Sequence, residues 1–130
     1  MQILKPEGWL RPSGYSYGVA ARGRTVFVAG TVGWNQDDAF ETDDLVGQVQ
    51  KALSNIVAVL AEAGAKPAHI TRMTWYVVDC REYAARRPEI GAVYRAEIGD
   101  CYPAMTLVQV AALLEQGAKV EVEATAVIPD

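Results

Sequence analysis

The ten residues from Lys119 to Ile128, KVEVEATAVI, alternate between two kinds of side chain and decide the fold. Successive side chains of a strand point to opposite faces of its sheet, so this pattern predicts a strand with one buried face. The buried face would carry Val120, Val122, Ala124, Ala126 and Ile128. The opposite face carries two carboxylates, Glu121 and Glu123, and is expected to meet water, another subunit or a ligand.

A long amphipathic helix is predicted upstream, from about Asp43 to Ala63. Apolar residues recur there at spacings of three and four, which places them on one helix face. These residues are Leu45, Val49, Leu53, Ile56 and Leu60. The Thr42–Asp44 segment offers N-caps, and Gly64 followed by Pro67 provides the stop.

The N-terminal part is expected to form an irregular arm followed by a hairpin. Residues 1–14 are rich in Pro, Gly and polar groups and predict the arm. Two β-like segments follow, Tyr15 to Ala21 and Arg24 to Gly30. The Arg22-Gly23 pair between them predicts a tight turn, because Gly accepts positive φ without penalty. A further extended segment is expected over Thr31–Trp34.

The C-terminal half predicts two more strands around a second helical region. Ile70 to Asp79 is dense in β-branched and aromatic residues, as strands are. The helical region covers about Arg81 to Ile98, with a break near Arg87 and a fresh start at Pro88, because Pro does not fit a helix interior. Pro103 to Leu113 is the other strand. The order indicates an α+β fold, a mixed sheet with two helices packed on one face.

Length and charge limit the classes of function. The chain has 130 residues, a length that predicts a single domain over 1–130. Its 12 Lys and Arg against 16 Asp and Glu give a net charge of −4, which argues against nucleic acid as the main partner. Two cysteines and one histidine predict neither a disulfide framework nor a metal site. Without a targeting or membrane-spanning segment, we expect a cytoplasmic protein that needs no cofactor and binds no membrane.

Several stretches between Gly14 and Ala126 follow a familiar order and spacing. They are Gly14–Val19, Val26–Gly30, Gln50–Ile56, Ala63–Ala65, Met73–Asp79, Tyr102–Ala104 and Val120–Ala126. Together they resemble the RidA (YjgF) family, also labelled L-PSP endoribonuclease-like. The resemblance implies a chorismate-mutase-like fold assembled as a homotrimer, with ligand clefts between the subunits.

The resemblance also implies a chemistry and one clear departure from it. Well-studied members hydrolyse enamines and imines such as 2-aminoacrylate to a 2-keto acid and ammonia. Their substrate carboxylate is held by an Arg that follows Pro-Ala, whose fork binds both oxygens. Here the triplet reads Pro103-Ala104-Met105. Because Met105 is an apolar thioether, we expect weak or no 2-aminoacrylate deaminase activity and a preference for apolar or aromatic ligands.

Site residues carry over from the family position by position. The resemblance implies that Glu121 is the general base beside the attacking water and that Tyr15 orients the ligand. In the family the loop that begins at Gly30 and Thr31 lines the cleft entrance, which makes these residues and the following Trp34 candidate ligand contacts. Ala104 and Met105 are candidates through the Pro-Ala triplet, and Cys101 is one because it lies just before the cleft-forming strand. The family's helix Asn is replaced by Gly91, three residues before Tyr94. Each of four arginines is either a solvated surface charge or a replacement, supplied by an adjacent subunit, for the missing anchor: Arg11, Arg86, Arg87 and Arg95.

Three functions remain open at this point. The first is a divergent hydrolase of an imine, an enamine or a related small metabolite. The second is a non-catalytic trimer that binds a small molecule or a protein partner. Endoribonuclease activity is the third, and the acidic charge balance counts against it. A thiol nucleophile at Cys101 paired with His69 is a weaker idea, since a free Cys most often packs as a small hydrophobe.

Overall fold

Three α-helices and six strands form the regular structure of the computed structural model, which describes all 130 residues. The strands are β1 (Gln2–Leu4), β2 (Gly18–Ala20), β3 (Arg24–Val32), β4 (Ile70–Val77), β5 (Ala104–Gln109) and β6 (Val120–Ile128). The α-helices are α1 (Leu45–Glu62), α2 (Cys80–Ala85) and α3 (Arg87–Glu97), and a 3-10 turn covers Pro67–His69.

Four of the strands form one mixed sheet in the spatial order β3-β6-β4-β5. The pairs β3–β6 and β4–β6 are antiparallel, whereas β4 and β5 run parallel. Helices α1 and α3 pack against each other, and α1 packs on β3 and β6. The predicted α+β fold with helices on one face of a mixed sheet is therefore confirmed.

The predicted amphipathic patterns of α1 and β6 are confirmed. All five apolar stripe residues of α1 are buried, and so is the alternate face of β6 from Val120 to Ala126. Asp44 caps α1 by accepting a hydrogen bond from the Gly47 N–H at 3.1 Å. Gly64, with φ +76°, follows the helix end and supplies the left-handed residue that stops it.

One polar residue of α1, Gln48, is fully buried and connects three segments of the chain. Its Nε2 donates to the carbonyl oxygens of Thr42 at 3.1 Å and Gly117 at 2.9 Å. Its Oε1 accepts from the Lys119 N–H at 2.8 Å. The Gln48 amide therefore holds the loop before α1 and the turn before β6 against the helix.

The predicted N-terminal hairpin was wrong. Strand β2 pairs with β1 in a separate two-stranded sheet, so residues 1–14 are not a wholly irregular arm. Glycine is required at position 23 by close packing against another strand and not by a hairpin turn. A Cβ atom there would lie 1.9 Å from the Ile128 carbonyl oxygen, because β3 starts its pairing with β6 at that point. The extended segment expected at Thr31–Trp34 belongs to β3 only as far as Val32.

The break predicted within the second helical region is confirmed. Helix α2 ends at Ala85 and α3 begins at Arg87, which leaves Pro88 in the first turn of α3. Pro is tolerated in that turn because the N–H it lacks would be unpaired there. None of the three helices combines the length and apolar character needed to cross a bilayer.

Candidate functional site

A cavity of about 800 Å³ lies between α3, strand β5 and the segment before β2. Both Tyr15 and Met105 line it. Ser16 fixes their separation, because its N–H donates to the Pro103 carbonyl at 3.0 Å and its hydroxyl donates to the carbonyl of Tyr102. The two residues that the resemblance places at the ligand are thus brought to one cavity by the Ser16 contacts.

Aromatic side chains form much of the cavity wall. The Tyr94 ring stacks on Tyr102 with centroids 5.5 Å apart, and its hydroxyl donates to the Cys101 carbonyl. The ring centroid of Trp75 lies 6.3 Å from that of Tyr83 and 6.4 Å from that of Tyr94. Burial raises the pKa of Tyr94 well above its ordinary value. It also raises the pKa of Tyr83, where the nearby charge of Arg87 opposes the shift. Both phenols therefore stay neutral at physiological pH.

Trp75 has a donor without an acceptor. The residue is 1% exposed, and its Nε1 is the buried side-chain nitrogen or oxygen without a hydrogen-bond partner in the chain. In the pairing of β4 with β5, Trp75 lies opposite Leu107, which also lines the cavity. The strand pairing therefore places Trp75 beside the cavity. Buried donors in proteins are nearly always satisfied, so this one calls for a partner from outside the chain.

The four candidate arginines differ in whether they reach the cavity. Arg86 is engaged elsewhere, with Nη1 2.9 Å from Asp44 and Nη2 2.7 Å from Glu89. Arg11, Arg87 and Arg95 all line the cavity and form no ion pair and no side-chain hydrogen bond. No carboxylate lines the same cavity, so its charge is positive.

Glu121 lies on the opposite face of the sheet from Met105. In the strand register Met73 pairs with Met105 on the helix side of the sheet, whereas Glu121 pairs with Tyr76, whose side chain points the other way. The Glu121 carboxylate lies against Gly30, and a Cβ atom at Gly30 would be 2.7 Å from its Oε2. The candidate site residues of one chain therefore fall into two groups that do not meet.

Thr31 and Ala104 are the chain neighbours of Gly30 and Met105, and by strand alternation the Ala104 side chain points to the face opposite to that of Met105. Thr31 follows Gly30 in β3, and its hydroxyl donates to the Ala29 carbonyl at 2.8 Å. Ala104 begins β5 and forms a bridge with Ser16, next to the cavity. Their assignment as ligand contacts, like that of Gly30, stays a prediction.

Cys101 and Trp34 lie outside the cavity lining. The Cys101 thiol faces the Ala68 carbonyl at 3.7 Å, and burial raises its pKa. His69 does not serve it as a base, because its Nδ1 accepts from the Lys66 N–H at 3.0 Å. Trp34 packs on Phe40 with centroids 5.8 Å apart. A ligand contact for Cys101 or Trp34 stays a prediction.

The arginine cluster was not recognised from the sequence, although a signal for part of it exists. Arg87, Gly91 and Arg95 follow one another at intervals of four residues within α3, which places them on one face of the helix. Arg11 has no such signal, because only the fold of the N-terminal segment brings it to α3. Groups of His, Cys, Asp or Glu that could hold a metal ion are absent from the chain.

Comparison with known proteins places the fold and the site in context. The family described as Endoribonuclease L-PSP matches residues 10–128. The chain is 36% identical to the protein DfrA of Myxococcus xanthus over 84 residues, which cover 65% of this chain and 60% of DfrA. It is 30% identical to the 2-iminobutanoate/2-iminopropanoate deaminase of Escherichia coli K12 over 108 residues, which cover 81% of this chain and 80% of that enzyme.

A solved structure is similar over nearly the whole chain. The crystal structure of YyfB from Yersinia pestis, a protein of unknown function of the conserved Rid protein family, shares 36% identity and a TM-score of 0.82, covering 98% of both chains. The match at residues 10–128, the shared fold and the deaminase relatives agree. The chain is therefore a member of the endoribonuclease L-PSP family, to which the RidA and YjgF proteins belong.

Proposed function

We propose that this protein is a divergent hydrolase of the imine and enamine deaminase type, with weak or no activity on 2-aminoacrylate. The observation that carries this proposal is the place of Met105, which lines the cavity beside Tyr15 where the resemblance calls for an arginine. A charge-assisted hydrogen bond contributes about 1.5–3 kcal/mol, so the loss of a guanidinium there costs a small carboxylate one to two powers of ten in affinity. Deaminases among the relatives support the reaction type.

The proposed reaction adds water across a carbon–nitrogen double bond. Glu121 takes a proton from the water as its oxygen bonds to the imine carbon, and the proton passes to the nitrogen. The hydroxyl group of the resulting carbinolamine then gives its proton to the nitrogen, the carbon–nitrogen bond breaks, and ammonia and a carbonyl compound are released. The carboxylate is available for this role because it lies against the bare backbone of Gly30 and forms no hydrogen bond within the chain.

The same proposal requires more than one chain in a complete site. Tyr15 and Met105 lie on the helix side of the sheet and Glu121 on its open side, so a neighbouring copy must bring the two groups together. The open side supports such a contact, since Phe27 there is 79% exposed and Val108 is 40% exposed. We therefore propose the homotrimer with clefts between subunits that is typical of the family.

The test pairs three variants with a panel of imines generated in the assay. Glu121→Gln is expected to abolish turnover while the trimer persists, as measured by light scattering. Glu123→Gln is the matched control, because that carboxylate is on the same strand face but accepts a hydrogen bond from Tyr76 at 2.6 Å. Met105→Arg is expected to create 2-aminoacrylate hydrolysis. A monomer in solution, or full activity in Glu121→Gln, contradicts the proposal.

One observation favours the alternative of a non-catalytic binding protein. The residues that line the cavity include no Asp, Glu, His or Cys, so one chain alone offers it no general base. In that case the trimer binds a small molecule and no imine of the panel is converted, although ligands raise the melting temperature. Cleavage of RNA by the purified protein would contradict both readings.

A further inference from the structure

The cavity concentrates positive charge in a protein that is negative overall. Arg11, Arg87 and Arg95 line it without any partner carboxylate, while the whole chain carries −4. Like charges that share a concave surface repel one another, and their focused field attracts an anion. An unpaired guanidinium also presents a planar fork that matches a carboxylate. This arrangement is suited to a small anionic ligand.

The guanidinium of Arg95 lies close to the backbone at Gly91. A Cβ atom at Gly91 would lie 3.3 Å from Nη1 of Arg95, which is closer than ordinary packing allows. Gly is a poor helix former, so its place in the middle of α3 lowers the intrinsic stability of the helix. A larger side chain at position 91 would therefore compete with the guanidinium for space at the cavity.

One residue of the cavity lining, Trp75, carries a buried donor. Trp75 lines the cavity, and its Nε1 finds no acceptor in the chain. A buried water or a ligand oxygen would satisfy this donor, and a buried donor left unpaired is costly. The Nε1 atom is enclosed by the chain, so the positive charge of the arginines remains the feature that points to a ligand.

The walls of the cavity indicate the rest of the ligand. Five of the six tyrosines of the protein line it, together with Trp75, Met105 and Leu107. Aromatic rings favour stacked or edge-to-face neighbours, and a thioether makes favourable contacts with rings. A ligand with an aryl group fits this lining better than the small aliphatic imino acids of the relatives.

We propose that the cavity binds an aryl-bearing organic acid whose carboxylate is held by Arg95 of α3, on a different wall of the cavity from Met105 of β5. Arg87 and Arg11 add positive charge around it, and the ring packs on the tyrosine wall. This deepens the proposed function and rests on it, since it names the substrate class of the same site.

The test uses three stable compounds that separate the acid group from the ring. The first is 2-oxo-4-phenylbutanoate, and 4-phenyl-2-butanone is its counterpart with a methyl group instead of the carboxylate. The third, 2-oxobutanoate, keeps the acid but lacks the ring. Calorimetric titration of the intact protein is expected to give the lowest Kd for the first compound. The two others should bind about tenfold more weakly or worse. Equal affinity for the acid and the ketone, or no binding of the acid, overturns the inference.

Arg95→Gln identifies the anchor. It is expected to weaken binding of 2-oxo-4-phenylbutanoate about tenfold and to leave the ketone unchanged. Arg81→Gln is the matched control, because Arg81 is an exposed arginine on α2 that does not line the cavity. Gly91→Leu keeps the charge and improves the helix but fills the space of the guanidinium, so it should weaken binding without lowering the melting temperature. An unchanged Kd in Arg95→Gln overturns the inference.

The two proposals fail in different ways. If the acid binds through Arg95 but the protein converts no imine, the hydrolase proposal fails and the ligand class stands. If imines are converted with the same KM in Arg95→Gln as in the unaltered protein, the hydrolase stands and the anchor is wrong.

Discussion

The carboxylate of Glu121 lies over Gly30 so closely that a Cβ atom there would be 2.7 Å from Oε2 and 3.0 Å from Cδ. The two residues sit on neighbouring strands, β6 and β3, where the register shifts between Val28 and Thr31. Gly30 shows no positive φ, so the backbone itself does not demand glycine there. The bare backbone instead makes room for the carboxylate.

Gly30→Ala is expected to move the Glu121 side chain and to lower kcat on any imine of the panel by about tenfold or more, since a misplaced general base loses its contribution. The atoms in conflict belong to the end of a flexible side chain, so the melting temperature should change little. Gly18→Ala is the control, because its Cβ would meet Leu4 at an ordinary distance of 3.4 Å. Unchanged kcat in Gly30→Ala would show that the position of Glu121 is irrelevant.

Gln48→Leu is expected to lower the free energy of unfolding by about 1–3 kcal/mol, because it removes the partner of two carbonyls and one N–H that are partly shielded from water. Urea unfolding at equal protein concentration measures this. Gln50→Leu on the same helix is the control, since Gln50 is exposed and its contact to Glu97 is 3.5 Å long. A loss no larger than that of the control would contradict the buried network.

The ion pair between Asp44 and Arg86 makes stability depend on pH. The Arg86 guanidinium and the Gly47 N–H hold the pKa of Asp44 below its ordinary value. A lowered pKa in the folded state stabilises the protein above the ordinary Asp pKa, and the gain is lost as the pH falls through the folded value.

Asp44→Asn keeps a good N-cap but removes the charge. We expect it to melt at a lower temperature than the unaltered protein near neutral pH and to show a smaller difference at acidic pH, as followed by circular dichroism. A difference that stays constant with pH would exclude the ion pair as its source.

The thiol of Cys101 is expected to react slowly with iodoacetamide. Burial raises its pKa, so less thiolate is present at neutral pH than in a free thiol. In Cys80→Ser, which leaves one cysteine, the rate at neutral pH should be about tenfold or more below that of N-acetylcysteine and should rise only in more alkaline solution. Mass spectrometry of the intact protein follows the reaction. A rate above that of the free thiol would revive the nucleophile hypothesis.

The sequence predicts those elements whose cause is local. The stripe of α1 and the alternation of β6 are properties of neighbouring residues, so their periods reveal the buried faces. The prediction of a hairpin at Gly23 was wrong because a glycine occurs at close contacts between backbones as well as in turns. The backbone that approaches Gly23 is that of Ile128, far along the chain. Gln48 was missed for a related reason, since a polar residue is buried only when distant carbonyls satisfy it.

The site is less predictable than the fold. The resemblance identifies Tyr15, Met105 and Glu121, but the two faces on which they lie follow from strand register. The charge of the cavity depends on Arg11 and α3 meeting in space, which no local pattern encodes.

The separation of Glu121 from Tyr15 by the thickness of one sheet has a genetic consequence. If each complete site draws one group from each of two copies, a chain altered at Glu121 and a chain altered at Tyr15 carry different intact halves. Co-expression of the two chains would restore activity, because some clefts of a mixed trimer contain an unaltered Glu121 from one chain and an unaltered Tyr15 from the other.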